Sequence, residues 1–352
     1  MKKAGLIVLG CLLLSSSAVW FTPDVAAQTE IVLDIAVSVV PLAGIVEKVG
    51  QGYIGISVLL PEGVEPHSIQ LPQSAIDAAA NADLLVLTGH FPWEEELANQ
   101  TETPFITLED YEAFGAVLSP IPGTTSDFEP AQDHDHGNEN PHSFWLLPLN
   151  AIAIANTTRD ALTSLHSDLE DYWEEMFERF VQEVEAFQEL VIEMDNEYQF
   201  SNLRAVVVFP AEAYVAEAFG IEVEAVLQEG DNIFIAGAQL IEVQTALVNG
   251  SLDIILGSDI ARLQAGGDFA RQLAQDTNSK IIWFRAIFFS GLSDYLSIMT
   301  YNLGALTSGL EVGSTDTIDS SINYLLLGFS GFLVVVVLVE TVLLVQRVKK
   351  DD

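Results

Sequence analysis

A chain of 352 residues is long enough for two domains of ordinary size. With 49% hydrophobic and only 18% charged residues, it carries enough apolar material for a packed core, which excludes a disordered chain. Its 51 acidic side chains against 13 basic ones give a net charge of −38, which excludes binding to nucleic acid or to an anionic bilayer surface. Five basic residues (Lys2, Lys3, Arg347, Lys349 and Lys350) lie in the terminal segments, which leaves eight of the 13 between them. That excess of acid would concentrate cations at the surface, and it equally serves solubility. The one cysteine, Cys11, sits in the N-terminal apolar run. The mature chain therefore has no disulfide and no thiolate site, and any metal would be held by nitrogen and oxygen.

In chain order, residues 1–27 have the basic start, apolar middle and small-residue end of a secretory signal, with cleavage after Ala27. Within it, Val8-Leu9-Gly10-Cys11 loosely resembles a lipoprotein box. Residues 28–149 read as an α/β lobe. Strands are expected at 31–39, 55–60 and 84–87, with helix between them at 74–81, which implies a parallel sheet covered on both faces. The Pro- and Gly-containing loop at 120–142 includes Asp133-His134-Asp135-His136-Gly137. It reads either as a loose accessory metal loop through His134 and His136 or as an ordinary solvated acidic loop.

Residues 150–200 form linking helices, 150–163 and 167–197. The second has capping-box spacing at Ser167 and Glu170. Apolar residues Trp173, Phe177, Phe180, Val184, Phe187, Leu190 and Val191 recur at three or four, which is a core stripe rather than a cofactor box. A second α/β lobe at 201–310 has strands expected at 205–209, 254–256 and 280–284, and helices at 211–219, 237–248 and 268–276. Residues 311–323 are a short tether. Residues 324–345 are apolar for the length of about 20 residues that a bilayer-crossing helix needs. The basic tail at 346–352 then places the C-terminus in the cytoplasm and the acidic lobes outside.

Two histidines stand out because each follows a proline at the edge of an apolar segment: His67 in Pro61-Glu62-Gly63-Val64-Glu65-Pro66-His67, and His142 in Asn140-Pro141-His142-Ser143-Phe144-Trp145. Proline stiffens its own backbone and that of the residue before it. Two stiffly presented imidazoles on separate loops suit a metal site between structural layers.

The surrounding text supports this reading. Ser38 to Gly50, with Val40-Pro41-Leu42-Ala43 at its start, precedes the first motif, and Asp77 to Gly89, including Asn81-Ala82-Asp83-Leu84, follows it. This order resembles the zinc- and manganese-binding receptor family of ABC importers (the ZnuA/TroA group), over about residues 33–310. The resemblance implies two α/β lobes braced by a long linking helix, with small lobe motion, an ABC permease as partner, and a divalent metal as cargo, zinc first and manganese second. It implies ligand roles for His67 and His142. It also implies a third histidine at the position of Pro210 and an aspartate at that of Arg285, so two of the four usual ligands are replaced.

Candidates to complete the shell are His90 in Thr88-Gly89-His90-Phe91, Glu212 just after Pro210, and Asp259 at the end of a second-lobe strand. Arg285 cannot coordinate a cation. It would salt-bridge to Glu212 or Asp259, or clamp an anion. Three readings follow: a metal receptor, a receptor for an anionic metal chelate using Arg285, or a surface adhesive protein without a ligand. No Ser-His-Asp, paired-carboxylate or phosphate-loop pattern points to an enzyme.

Overall fold

The computed structural model describes residues 32–123, 139–230, 233–288, 291–292 and 294–311. The expected signal, the membrane-spanning segment, the basic tail and the loop histidines His134 and His136 lie outside the described residues. Among those described, no helix is long and apolar enough to cross a membrane.

The first lobe opens with β1 (Leu33–Val37), a β-branched and aliphatic run buried at every position except Asp34, as a central parallel strand requires. Then come α1 (Val40–Gly50), β2 (Ile54–Val58), α2 (Gln73–Asn81), β3 (Leu84–Val86), α3 (Pro92–Thr101), β4 (Phe105–Ile106) and α4 (Leu108–Ala113). All strands pair in parallel in the order β2-β1-β3-β4. The chain leaves β1 for β2 on one side and returns past it to β3 on the other, a reversal beside β1 that opens a crevice at the C-terminal strand ends where α/β sheets collect ligands.

Two helices, α5 (Pro148–Leu165) and α6 (Glu170–Tyr198), connect the lobes. The second lobe comprises β5 (Arg204–Val207), α7 (Glu212–Ala218), β6 (Glu222–Val226), the small antiparallel pair β7 (Gln228–Gly230) and β8 (Ile233–Phe234), α8 (Gly237–Asn249), β9 (Ile254–Ser258), α9 (Ala265–Thr277), β10 (Lys280–Phe284) and α10 (Tyr295–Glu311). Its parallel sheet runs β10-β9-β5-β6. Counted from the first strand of each lobe, both sheets share one winding, so each lobe offers a crevice of the same kind. Helix α10 takes in Glu311, the first residue of the expected tether.

Helix α6 is 29 residues long. At 1.5 Å per residue it reaches about 43 Å and braces both lobes. Its buried residues are Trp173, Met176, Phe180, Val184, Phe187 and Val191, at the expected three-and-four spacing. The structure amends the stripe: Leu190 is 39% exposed, Phe177 is half-buried, and Met176 takes the inward place. The expected capping box is absent. A 3-10 turn at Ser167–Leu169 leads into α6 with no side-chain cap at its first residue. Phe180 is fully buried and meets Tyr295 of α10 edge-on, with ring centroids 5.9 Å apart. One continuous apolar cluster runs from the first sheet through α6 into the second.

Because that cluster joins the lobes, truncating its centre should loosen the whole molecule. Phe180→Ala is expected to cost about 3–5 kcal/mol. Urea unfolding should show a lower midpoint with an unchanged slope, and a separate early transition of one lobe would show that the lobes do not share a core.

Candidate metal site

Three histidines from different loops converge where the lobes face each other. His67 lies in the loop after β2, His90 in the turn after β3, and His142 in the segment leading to α5. One ligand atom from each falls within a common span of 4.8 Å. The Nε2 atoms of His67 and His90 are 2.9 Å apart, and the His90 and His142 rings stand edge to face with centroids at 4.3 Å. Nitrogens on a tetrahedral zinc would sit about 3.3 Å apart, given Zn–N bonds of about 2.0–2.1 Å. Opening the His67–His90 pair by a few tenths of an ångström would therefore admit an ion.

Each imidazole is held by groups the local sequence supplies. The Pro66 carbonyl accepts from the Trp93 indole at 2.9 Å, which pins the His67 loop to α3. His67 Nδ1 bonds Glu65 Oε1 at 2.9 Å. Burial raises the Glu65 carboxyl, but hydrogen bonds from His67 and Ser68 outweigh it and hold the group below its usual range. An ionised carboxylate accepts only, so Nδ1 carries the proton and Nε2 offers its lone pair to the pocket. The buried Asn140 does the same for His142: its Oδ1 accepts from both the backbone N–H and Nδ1 of His142, each at 3.1 Å. Burial, then the neighbouring His67, pushes His142 down to about 3, so its ring stays neutral and able to ligate.

His90 is set by a buried carboxylate on α3. Glu94 Oε2 accepts the backbone N–H of His90 and of Phe91, each at 3.0 Å, and the Thr88 hydroxyl at 2.8 Å. Its other oxygen takes the Thr88 N–H at 2.8 Å and the Ser38 hydroxyl. With only 2% of its surface exposed, Glu94 ties the exits of β1 and β3 together.

The second lobe contributes a different surface. Phe209, Ala211, Ile260 and Ile287 line the pocket opposite the histidines, and the Phe209 ring meets His142 edge-on at 5.0 Å. Neither carboxylate candidate from this lobe joins the cluster. Glu212 is fully buried, and its Oε2 accepts the Phe209 N–H at 2.5 Å. Burial lifts it to about 8, against hydrogen bonds from Ser258 and Phe209 and with Asp259 adding to the rise. Asp259 turns back on the backbone: Oδ1 accepts from Ile260 at 2.9 Å and Ala286 at 3.1 Å, and Oδ2 from Phe288 at 2.9 Å. A carboxylate enclosed among unpaired N–H groups is held by them. Arg285 is not among the residues lining the pocket, and its guanidinium lies over the Tyr301 ring, 5.4 Å from the centroid. At Pro210, the carbonyl accepts from Asn140 Nδ2 at 2.9 Å.

Glu65, Asn140 and Glu94 were missed as positioning residues. The first two stand two places before a histidine, a spacing that suits a side chain reaching forward to the ring and backbone. Glu94 follows Pro92 at the third helical position, where a carboxylate meets free N–H groups.

Two α/β lobes of one winding, braced by a long helix and facing each other across a small histidine-lined pocket, define a two-lobed receptor architecture. The chain belongs to the ZnuA family, described as component A, periplasmic, of a zinc-uptake complex, whose profile matches residues 35–309. A zinc-binding lipoprotein, AdcA, of Streptococcus pneumoniae is 24% identical over 161 residues, 44% of this chain and 31% of the relative. The high-affinity zinc uptake protein ZnuA of Yersinia pestis is 24% identical over 169 residues, 42% of this chain and 51% of the relative. The chain thus spans from about a third to about half of the curated relatives it matches. The solved receptor FpvC of Pseudomonas aeruginosa, in complex with Mn2+, superposes with a TM-score of 0.64 at 18% identity, over 80% of this chain and all of that one. At that identity the likeness is one of fold.

The buried Glu212 ties stability to pH. Its folded value, about 8, lies above the ordinary 4.5. Its stabilisation is therefore complete below about pH 4.5 and is lost as pH rises through 8. Glu212→Gln, which mimics the neutral acid, should gain on the wild type between about pH 5 and 8 in urea midpoints and level off above that. A difference that stays flat with pH would mean the carboxyl is already ionised in the folded protein.

Proposed function

We propose that this protein is the extracytoplasmic solute receptor of an ABC importer, capturing a divalent transition metal with His67, His90 and His142 and passing it to a membrane permease. The convergence of these three imidazoles within 4.8 Å carries the reading. Family membership supports the transport role. A shell of neutral imidazoles suits zinc, and the borderline metals near it, better than manganese, which prefers carboxylate and carbonyl oxygen. Zinc is therefore the first cargo and manganese the second. The wider charge supports cation capture: a net −38 draws cations to the surface, while Glu65, acting through His67, brings negative charge to a site whose ligands are neutral. The chelate reading loses support, because the guanidinium it relied on lies over Tyr301 and not in the pocket.

The setting rests on sequence pattern alone. The signal at 1–27, the apolar run at 324–345 and the following Arg347, Lys349 and Lys350 support a single-pass tether with the lobes outside and the tail in the cytoplasm. Protease added to intact cells should then remove the lobes and leave a small membrane-bound fragment, and full protection of the lobes would overturn that topology.

Calorimetric titration of zinc into the metal-stripped protein should give tight one-to-one binding that disappears in a His67→Ala/His142→Ala variant. Manganese should bind at least about tenfold more weakly. Asn140→Ala, which frees the His142 ring, should weaken zinc by about 10–100-fold. Zinc binding that survives loss of both histidines would sink the site, and manganese binding as tightly as zinc would sink the preference.

A further inference from the structure

Eight basic residues fall within the described part of this acidic chain, and three of them gather on one face of the second lobe. Arg262 follows β9, Arg271 lies on α9, and Arg285 follows β10. The guanidiniums of Arg262 and Arg271 both lie against the Trp283 ring, at 4.6 and 5.2 Å from its centroid, and that of Arg285 lies over Tyr301 at 5.4 Å. Trp283 can lie flat here because its neighbour on β9 is Gly257. A Cβ at that position would meet the indole at 2.5 Å.

Most basic residues elsewhere are neutralised: Lys48 by Glu183, Arg159 by Glu174, Arg179 by Glu175 and Arg204 by Glu224. Within the cluster only Arg271 has an acid, the exposed Asp268 at 2.5 Å. Among the described residues, Arg262 and Arg285 have no carboxylate within salt-bridge distance. With 51 acids in the chain, two unpaired arginines brought near a third are a costly arrangement unless an outside anion relieves it. Like charge and burial both act against Arg262, which is held below its usual value by desolvation and then by Arg271 and Arg285, with Tyr301 and Asp259 acting the other way.

The patch also has the character of a recognition surface. Aromatic rings backing guanidiniums are the anchors that protein interfaces favour. Tyr301 is 44% and Leu263 54% exposed beside them. Its place is informative too, since Arg262 and Arg285 each stand two residues from a pocket-lining isoleucine, Ile260 and Ile287. The patch therefore borders the cleft on the side that supplies no imidazole.

We propose that Arg262, Arg271 and Arg285, with Trp283 and Tyr301, form a docking surface for an acidic segment of a partner protein. Charge argues for the occupant. A polyphosphate chain or an anionic bilayer would extend over the rest of a body at −38 and be repelled, whereas a short carboxylate-bearing loop can meet the patch alone. Screening over about 8 Å at physiological salt confines the repulsion to neighbouring groups. The surface is independent of the metal reading.

The test uses the full-length protein labelled with 15N at its indoles, with hexaglutamate as probe at about 0.15 M salt. The Trp283 indole resonance, assigned with Trp283→Phe, should shift saturably, while those of the buried Trp93, Trp145 and Trp173 stay in place. In Arg262→Gln/Arg285→Gln the half-saturating peptide concentration should rise at least fivefold, with the buried indoles reporting an intact fold. Arg204→Gln, on β5 and paired with Glu224 of the far edge strand β6, should leave it unchanged. A Trp283 signal that does not move, one that moves equally with hexaglutamine, or one that moves alike in the double variant would overturn the proposal. So would an equal response to inorganic phosphate at the same concentration, which would mark an adventitious ion only.

Discussion

The pocket depends on one buried amide. Asn140 is inaccessible to solvent, so its donor and its acceptor must both be satisfied within the protein. Its Oδ1 takes two N–H groups of His142, and its Nδ2 reaches across to the Pro210 carbonyl of the second lobe. Its own carbonyl accepts from the Tyr214 hydroxyl at 2.6 Å, and that oxygen in turn accepts the Ser119 N–H. The bonds to Pro210 and Tyr214 close only at one spacing of the lobes. One side chain therefore links lobe position to the group that orients His142, and a wide lobe opening would strip the buried Asn140 Nδ2 of its partner. Trp145 adds a second tie, donating its indole N–H to the Ala286 carbonyl at 3.2 Å. The receptor is braced at the site as well as along α6.

The two lobes solve one problem twice and then diverge. A parallel sheet leaves backbone N–H groups unpaired where its strands end, and each lobe brings a buried glutamate to them, Glu94 in the first and Glu212 in the second. In the first lobe the carboxylate orders a turn that presents His90. In the second, Glu212 orders the turn after β5 that presents Phe209 and Ala211, and the turn after β9 adds Ile260, side chains that bond nothing but exclude water. The imidazoles are thus gathered on one side and the apolar wall on the other. Removing water from one face strengthens whatever electrostatics the imidazoles and Glu65 supply, so under the proposed function a second lobe without ligands would still contribute to capture.

Much of this was legible in the residues. The alternation of apolar runs with helical stretches gave two parallel sheets, and prolines before His67 and His142 marked stiff loops at strand ends. What failed has a common physical cause. Glu212 and Asp259 stand where a ligand would stand, yet a carboxylate at a strand end can turn outward to the cleft or back to the unpaired N–H groups. That choice depends on backbone geometry that composition does not carry. The edge strands β4 and β6 and the β7–β8 pair were missed because none is a continuous apolar run: β4 and β8 have two residues each, β6 carries Glu222 and Glu224, and β7 is Gln228-Glu229-Gly230. Leu190 was placed in the core stripe because hydrophobicity fixes the period of α6 but not how wide a face its neighbours cover.

Charge and coordination divide the work by distance. An excess of acid attracts every cation alike, and a net −38 cannot tell zinc from calcium or magnesium. Discrimination has to come from the donors, and here the ones that converge are imidazole nitrogens, which hard cations bind poorly. Had Glu212 or Asp259 faced the pocket, the site would have gained negative charge and lost some of that selectivity, since oxygen donors accept hard ions as readily as soft ones. Turning both carboxylates onto backbone N–H groups stabilises the second lobe and leaves the pocket an all-nitrogen site. Under the proposed function, attraction would be delegated to the surface as a whole, and choice to three rings that an asparagine and two glutamates hold in place.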